Sequence, residues 1–394
     1  MILKSQIPKQ QKKYSKLLNH VSIFSVVWVF VILGSQLTNF VKLEFYTLSI
    51  VYLSWYCFLF GSFIFSNNNV KKEKKYNVKE GRVLRNLCFI LVILSFVVNL
   101  DLLKDVFFNF ISFGVWAQMR NDEVFFEYRD NNFLYTLFGN TSNIYIPIAI
   151  YLFVKKKIKL WIFILIYIVA ILIALATFNR APFLFLMIIS LVCYSFISNK
   201  IPYKLIFTST ILLLFLFVLT SYFLNENSNN SESSSSMVFI YLFGGISAYQ
   251  NLLNGKYFFG GSFDSEYYSF DFVNYILKTF RVIDTYPNLV REYDLSIMTN
   301  VYTYLDCFTL DFGIIGAFVG SFVIGNISKI IYLKYIRSGS LLYLIMYSTF
   351  CYFAAFIFMN NEYIRFGVLL FIVKIIFLIY FLKISTKEVK TNTI

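Results

Sequence analysis

The 394-residue chain is 58% hydrophobic and 21% aromatic, and its mean hydropathy is +0.67. A soluble domain must cover its core with charged side chains, so this composition excludes an ordinary soluble enzyme. Apolar runs of about 18 or more residues recur along the chain, and about 20 helical residues cross the ~30 Å hydrocarbon layer of a bilayer. The sequence therefore predicts an all-α polytopic integral membrane protein.

The apolar runs predict about ten transmembrane helices, within a range of 10–12. They lie at residues 21–40, 44–65, 83–103, 134–154, 160–178, 181–198, 204–224, 307–330, 339–359 and 366–383. Residues 1–224 form an N-terminal bundle of about seven spans. Residues 225–306 form a long extracytoplasmic loop with short interfacial helices. Residues 307–394 form a C-terminal bundle of about three spans and a cytoplasmic tail.

The net charge of +14 is distributed unequally between the two sides that these spans define. Segments on the side of both termini hold 24 basic and three acidic residues, whereas the opposite side holds ten basic and 18 acidic residues. The positive-inside rule therefore places both termini in the cytoplasm. Because topology accounts for the basic charge, the expected partners include the lipid bilayer and exclude nucleic acid.

Metal and disulfide chemistry are not indicated by the sequence. The five cysteines are scattered in or beside apolar spans, and none forms a CxxC pair. The only histidine, His20, lies at the cytoplasmic start of the first span, which excludes an HExxH site and any histidine base on the outer side. No P-loop or Rossmann glycine fingerprint occurs. We therefore expect no metal site and no cofactor.

Arg180 occupies a tight turn between the fifth and sixth spans, after Asn179 and before Pro182. The turn lies on the outer side, against the positive-inside bias. Such an arginine either faces a cavity or an anionic partner, or it snorkels to the interface as an anchor. Arg120 and Arg129 present similar alternatives, because they lie among aromatic residues typical of an interfacial helix.

The long loop contains two segments with helical patterns. Residues 237–254 alternate between apolar and small side chains and predict a helix that dips into the interface. Residues 280–293 carry apolar side chains near a 3.6 period, with Arg281 and Arg291 on the remaining faces. Those arginines are either surface residues of an amphipathic helix or phosphate ligands. Asp311, at the outer start of the next span, is either a helix cap or a catalytic carboxylate.

An enzyme without a nucleotide, metal or Ser-His site must receive its energy in the substrate. Lipid-pyrophosphate sugars fit this requirement, because their glycosidic bond is already activated. Arginine binds phosphate bidentately and stays charged, and a carboxylate can orient or deprotonate an attacking sugar hydroxyl. The candidate carboxylates on the outer side are Asp264, Glu266, Asp271, Asp284, Glu292 and Asp311.

The chain resembles a known family in its layout of many spans with one long outer loop and in three short motifs. These motifs are the Thr/Asn turn with an arginine at residues 177–180, Tyr241-Leu242-Phe243-Gly244-Gly245, and Asn300-Val301-Tyr302-Thr303 followed by Asp311-Phe312-Gly313-Ile314-Ile315-Gly316. On these residues the chain is similar to the Wzy-type oligosaccharide repeat-unit polymerases of O-antigen and capsule. The layout covers the whole chain, whereas the motifs are short.

The resemblance implies a glycosyltransferase at the outer face of a bacterial cytoplasmic membrane. It implies transfer of a glycan chain from undecaprenyl pyrophosphate to a new lipid-linked repeat unit, with a chain-length regulator and a flippase as further partners. The catalytic residues would be Asp311 and Arg281. The substrate-binding residues would be Arg180, Arg291, Asn179, Asn300, Tyr302 and Tyr249.

The chain departs from family patterns at two points. An Arg-x10-Gly motif of some members is one residue short here, from Arg129 to Gly139. The related O-antigen ligases typically use an outer histidine, which this chain lacks. A ligase remains an alternative, as do a lipid-linked oligosaccharide flippase or transporter and a structural or sensory membrane protein. Transporters often carry charges within spans, and Lys374 is the clearest such charge.

Overall fold

The computed structural model describes residues 19–38, 42–64, 82–108, 134–139, 141–176, 181–198, 200, 234–255, 257–259, 269, 291–293, 303–358, 374 and 376. This part of the chain is helical apart from two short strands. The helices are α1 (His20–Leu37), α2 (Phe45–Ile64), α3 (Arg82–Val98), α4 (Leu100–Phe108), α5 (Ser142–Val154), α6 (Leu160–Ala176), α7 (Ala181–Ser198), α8 (Ser234–Leu253), α9 (Tyr304–Ser338) and α10 (Leu341–Phe356). A π-helical turn, Tyr135–Gly139, precedes α5.

The two strands join the ends of a long excursion of the chain. β1 (Tyr257–Phe259) and β2 (Arg291–Tyr293) pair antiparallel, so that Phe259 lies opposite Arg291. β1 begins four residues after α8 ends, and β2 contacts α8. The pair therefore returns the chain to the C-terminal end of α8 after more than 30 residues.

Within the part of the chain that the structure describes, four helices are long and apolar enough to cross a membrane: α1, α2, the helix over Leu137–Val154, and α9. Shorter apolar helices occur at Leu160–Ala174, Pro182–Ser198 and Leu341–Phe356. Exposed apolar side chains follow one another at helical spacing, which predicts contact with lipid along one face of each helix. They include Ile90, Ile93 and Val97 on α3, Trp161, Ile164, Leu165 and Ile168 on α6, and Ile315, Val319 and Val323 on α9.

The described helices pack around two large apolar cores, and a small third cluster surrounds Leu102 and Leu103. The first core joins α3, α5, α6, α7 and α10 with the C-terminal half of α9. The second core joins α1, α2 and α8 with the N-terminal half of α9 and the last residues of α10. Because α9 contributes to both cores, it is the element that connects them.

Paired glycines let α2 and α9 pack backbone against backbone. A Cβ on Gly61 would collide with the carbonyl oxygen of Phe322, and a Cβ on Gly325 would collide with the carbonyl oxygen of Phe58. The Ser62 hydroxyl lies at the same crossing and is 3.3 Å from the carbonyl oxygen of Gly325. Small residues at helix crossings are the usual route to close packing within a membrane.

The long helix α9 is interrupted at Gly313, and its first nine residues fold back on the rest. Gly313 has φ +65° and ψ −166°, a conformation that only glycine adopts readily. The hydroxyl of Tyr304, which precedes this break, lies 2.7 Å from the hydroxyl of Ser321, which follows it. In a straight helix those residues would be about 25 Å apart, at 1.5 Å per residue. Residues 304–312 and 314–338 therefore form a helical hairpin.

This hairpin corrects the predicted continuous span at residues 307–330. A Cβ on Gly316 would collide with the carbonyl oxygen of Phe308, and a Cβ on Gly320 would lie 2.7 Å from the Phe308 ring. The two glycines thus provide the groove that receives the folded-back segment. Both glycines mediate packing within one helical element.

Two further expectations are also corrected. The predicted span 83–103 breaks at Asn99, whose side-chain Nδ2 donates to the carbonyl oxygens of Ser95 at 2.7 Å and Gly139 at 3.0 Å. The predicted amphipathic helix over residues 280–293 is wrong at Arg291–Tyr293, which form β2 because they pair with β1.

Helices coincide with most of the other predicted spans. They occur within residues 21–40, 44–65, 134–154, 160–178, 181–198 and 339–359. A helix is present over the predicted residues 237–254 as α8, which packs into the second core. Its expected dip into the membrane interface stays a prediction. The span at 204–224 lies outside the described residues, and only Lys374 and Ile376 of the span at 366–383 are described.

Candidate functional site

The fold-back of α9 brings polar side chains into the interior of the helix bundle. Tyr304 is fully buried and lies level with Ser321, seven residues along the helix that begins at Ile314. Seven helical residues correspond to about 10 Å. The backbone N–H of Tyr304 donates to the carbonyl oxygen of Ile357 at 2.8 Å, one residue after α10 ends. Two helix ends therefore meet about 10 Å along α9 from the start of its second segment at Ile314.

Asp306 is a fully buried carboxylate in the first turn of this folded-back segment. The Thr303 hydroxyl donates to its Oδ1 at 2.6 Å, and the Asp306 N–H donates to the carbonyl oxygen of Thr303 at 3.3 Å. An ionised carboxylate is costly to bury unless polar groups compensate for lost water. The Thr303 hydroxyl and the N-terminal end of the helix, with its partial positive charge, both supply that compensation.

Tyr249 of α8 contacts the same folded-back segment, residues 304–312. It is fully buried, and its hydroxyl lies 3.0 Å from the Thr309 hydroxyl. Burial raises the pKa of Tyr249 above its ordinary value, the hydrogen bond with Thr309 opposes that rise, and the negative charge of Asp306 adds to it. Tyr249 is therefore a neutral phenol at physiological pH, able to donate one hydrogen bond.

Asp311 lies at the other end of the folded-back segment, two residues before the break at Gly313. Its Oδ2 accepts a hydrogen bond from the backbone N–H of Ser269, which belongs to the excursion between β1 and β2. Asp311 is half-buried, whereas Asp306 is fully buried. The segment thus carries one carboxylate in the bundle interior and one near the turn.

The C-terminal end of α8 is held by hydrogen bonds to the connection between α1 and α2. The Gln250 side chain accepts from the N–H of Glu44 at 2.8 Å and donates to the carbonyl oxygen of Lys42 at 3.2 Å. The Asn254 amide donates to the Glu44 carboxylate at 3.0 Å. Since these bonds fix the helix end that carries Tyr249, they also fix the position of its hydroxyl.

Two of the sequence-predicted site residues lie on or against the folded-back segment. Tyr249 touches Thr309, and Asp311 lies two residues further along the same segment. Arg291 is in β2, which returns the chain to the end of α8. The other predicted residues lie outside the described part of the chain; they are Arg180, Asn179, Arg281, Asn300 and Tyr302.

The buried carboxylate of Asp306 and its neighbours are not among the residues predicted from the sequence. Thr303 and Asp306 have the spacing of a helix-capping pattern, a Thr followed three residues later by an acidic residue before an apolar run. That pattern could have found Asp306. No sequence pattern marks Thr309 or Ser269, because they join the site only through contacts with Tyr249 and Asp311 that the fold creates.

Among the described residues, no group of three or more His, Cys, Asp or Glu side chains is arranged to hold a metal ion.

The chain was also compared with known proteins. No family model, no curated protein and no solved structure matches it.

Proposed function

We propose that this protein is a polymerase that joins oligosaccharide repeat units carried on undecaprenyl pyrophosphate into a surface polysaccharide. It would be a glycosyltransferase of about ten transmembrane helices in a bacterial cytoplasmic membrane. Both termini would be cytoplasmic, and the folded-back end of α9 would lie on the outer side. A flippase that supplies the repeat units and a chain-length regulator would be its partners.

The observation that supports this proposal best is the buried carboxylate of Asp306, with Tyr249 and Thr309 beside it at a break in the helices. Backbone that leaves helical geometry within a membrane is tolerated where it is buried in protein or lines a polar cavity. A carboxylate within a span is costly and usually functional. The combination fits a site for a polar group at the membrane surface.

The proposal divides the reaction between basic and acidic residues. Arg180, Arg281 and Arg291 would bind the donor pyrophosphate, because a guanidinium group binds phosphate bidentately. Asp311 would orient or activate the attacking hydroxyl of the acceptor sugar. The glycosidic bond to pyrophosphate supplies the energy, so the reaction uses no nucleotide.

A gene deletion tests the proposal, with surface glycan separated by length on a gel. We expect loss of the ladder of long chains and retention of a single-repeat band. Complementation with Arg180→Ala or Arg281→Ala should fail to restore the ladder at normal protein levels. Arg337→Ala, at the opposite end of α9, is the matched control and should restore it. A full ladder with both variants would overturn the assigned arginines.

A flippase for lipid-linked oligosaccharide is the second candidate, and the helix ends that meet at Tyr304 and Ile357 favour it. Transporters commonly build their substrate sites from interrupted helices within the bilayer. In the deletion strain, a flippase predicts loss of every surface repeat and accumulation of lipid-linked units inside the cell. The single-repeat band therefore separates the two functions.

A further inference from the structure

The turn between α5 and α6 concentrates four positive charges within five residues. Lys155, Lys156, Lys157 and Lys159 are all exposed, whereas Ile158 between them is buried in the first core. Aromatic rings of α5 and α6 stack beside the turn at a centroid distance of 4.5 Å. Because a buried side chain and stacked rings anchor the turn, the backbone that presents the lysines is fixed.

One of these lysines occupies a backbone position that normally belongs to glycine. α5 ends in a Schellman motif, in which the N–H of Lys157 donates to the carbonyl oxygen of Leu152 at 2.7 Å and the N–H of Lys156 donates to that of Phe153 at 2.9 Å. Lys156 takes the left-handed position of the motif, with φ +55°. Glycine would form the same turn without strain, so the turn itself does not explain a lysine there.

The charges of the turn are not neutralised by neighbouring side chains. Among the residues that the structure describes, none of the four lysines takes part in an ion pair. The C-terminal end of α5 favours a cation such as Lys155. Lys159, however, lies immediately before α6, whose first turn has no acidic residue, and a cation is unfavourable beside the positive end of a helix dipole. The turn therefore presents positive charge that an external anion can neutralise.

The surface next to the lysines indicates which kind of anion fits. Trp161, in the first turn of α6, is 61% exposed, and the exposed Ile164 and Leu165 follow it at helical spacing. A tryptophan at the end of a predicted span typically lies at the level of lipid headgroups. Lys159 is two residues away, which corresponds to about 3 Å along a helix. The lysines therefore lie at the depth of lipid phosphates, beside a stripe suited to acyl chains.

We propose that the α5–α6 turn binds the headgroup of an anionic phospholipid, whose acyl chains lie along the exposed stripe of α6. Under the predicted topology this lipid belongs to the cytoplasmic leaflet, where basic segments next to a span are attracted to anionic lipids. Lysine stems cover apolar surface while their ammonium groups reach the phosphate. The binding is non-covalent, goes beyond the proposed polymerase, and holds equally for a flippase.

Fluorescence quenching identifies the lipid in contact with Trp161. The full protein is reconstituted in phosphatidylcholine vesicles that contain increasing fractions of phosphatidylglycerol or phosphatidylcholine with brominated acyl chains, because bromine quenches a tryptophan that it contacts. The difference between wild type and Trp161→Phe isolates this residue among the chain's four tryptophans. A lysine near an anionic surface contributes about 1 kcal/mol, or about fivefold. We therefore expect half-maximal quenching at an about fivefold or more lower fraction of brominated phosphatidylglycerol, and salt should reduce this preference.

Substitutions locate the preference in the turn. Lys157→Gln with Lys159→Gln should lower it to about twofold or less. Lys156→Gly removes a charge and the strained backbone together, so the preference should fall while the midpoint of denaturant unfolding stays the same or rises. That result separates lost binding from lost folding. Lys42→Gln with Lys104→Gln, two exposed lysines on the predicted outer side, is the matched control and should leave the preference unchanged.

Three outcomes would overturn the inference. They are equal quenching of Trp161 by the two brominated lipids, no quenching by either, and a control variant that loses the preference as fully as the variant of the turn. The first two are measured with wild type and Trp161→Phe alone. The inference and the proposed function fail separately, since a lipid preference together with an unchanged glycan ladder after gene deletion would keep the lipid site and overturn the polymerase.

Discussion

The two ends of α9 are built from different chemistry. Its N-terminal end carries the buried Asp306, the half-buried Asp311 and hydroxyls that bond to one another across the hairpin. Its C-terminal end carries cations above aromatic rings, with the Lys329 ammonium 5.6 Å from the Tyr332 ring and the Lys334 ammonium 5.7 Å from the Tyr343 ring. Asp306 in the first turn and Arg337 in the last turn are each favourable next to that end of the helix dipole.

The contacts that hold the two ends also differ. At the C-terminal end, Tyr347 accepts the backbone N–H of His20 at 3.0 Å and packs against the rings of Tyr332 and Phe196. Ring contacts tolerate small shifts, because dispersion depends weakly on direction. At the N-terminal end, glycine approaches and short hydrogen bonds allow little displacement. The comparison indicates that the N-terminal end is built for a defined geometry and the C-terminal end for stability.

The largest effect is expected where the hairpin leaves no space. Gly316→Leu places a side chain against the Phe308 carbonyl oxygen and the Phe312 Cβ. Overpacking of this kind costs about 1–3 kcal/mol or more, and we expect the upper end because one neighbour is backbone. Denaturant unfolding in detergent, followed by fluorescence, measures the loss. Val319→Leu, on the exposed face of the same helix, should change nothing. Equal stability of both variants would contradict the hairpin.

Backbone strain should give the next largest difference between the two ends of α9. Gly313→Ala forces alanine into a region used almost only by glycine, at a cost of about 1–3 kcal/mol. Gly339, which ends α9 with φ +61° and ψ 17°, is left-handed helical, and Gly339→Ala should cost about 1–2 kcal/mol. Only the Gly313 variant should also reduce glycan length. If the Gly339 variant shortens the glycan equally, the hypothesis that only the N-terminal end of α9 is needed for glycan length is wrong.

Removal of one hydroxyl at each end gives a smaller effect. Tyr304→Phe loses the bond to Ser321, which still donates to the carbonyl oxygen of Ala317 at 2.6 Å. Tyr347→Phe loses the bond from the His20 N–H. Each change should cost about 0.5–1.5 kcal/mol of unfolding free energy. We expect glycan length to fall with Tyr304→Phe alone, as measured at matched protein levels.

The smallest effect concerns pH. Because burial raises the pKa of Tyr249, the folded protein resists its ionisation more than the unfolded chain does. The stability it contributes is complete below the unfolded pKa of about 10 and is lost as pH rises above that value. Wild type and Tyr249→Phe should therefore show the same dependence of stability on pH below about 10. A Tyr249-dependent transition near neutral pH would show that this side chain is not buried as a neutral phenol.

The sequence predicts the helices well and the fold-back poorly. Hydropathy and helical periodicity locate α1, α2, α6, α7 and α10, because each presents a long apolar run. The reversal at Gly313 is invisible to periodicity, since residues 304–338 remain helical and apolar on both sides of one glycine. Only contacts between distant residues, such as Tyr304 with Ser321, reveal it.

The candidate site shows the same limit. Asp311 and Tyr249 are found from polarity in an apolar chain and from motif resemblance. Asp306 does not stand out in the sequence, because a capping pattern at a helix start is common and rarely functional. Its significance comes from burial, which depends on how α8 and α10 pack around it.

The short lipid-facing length of α3 has a consequence for the membrane itself. Arg85 is exposed near its start and Asp101 is exposed just after its end, and 16 helical residues span about 24 Å. The exposed apolar residues Ile90, Ile93 and Val97 lie between these charges. A bilayer with a ~30 Å hydrocarbon layer is thicker than this apolar strip. Such a mismatch is relieved by local thinning of the bilayer or by snorkelling of long side chains such as Arg85, so we expect the membrane boundary beside α3 to be drawn toward the midplane if α3 faces lipid.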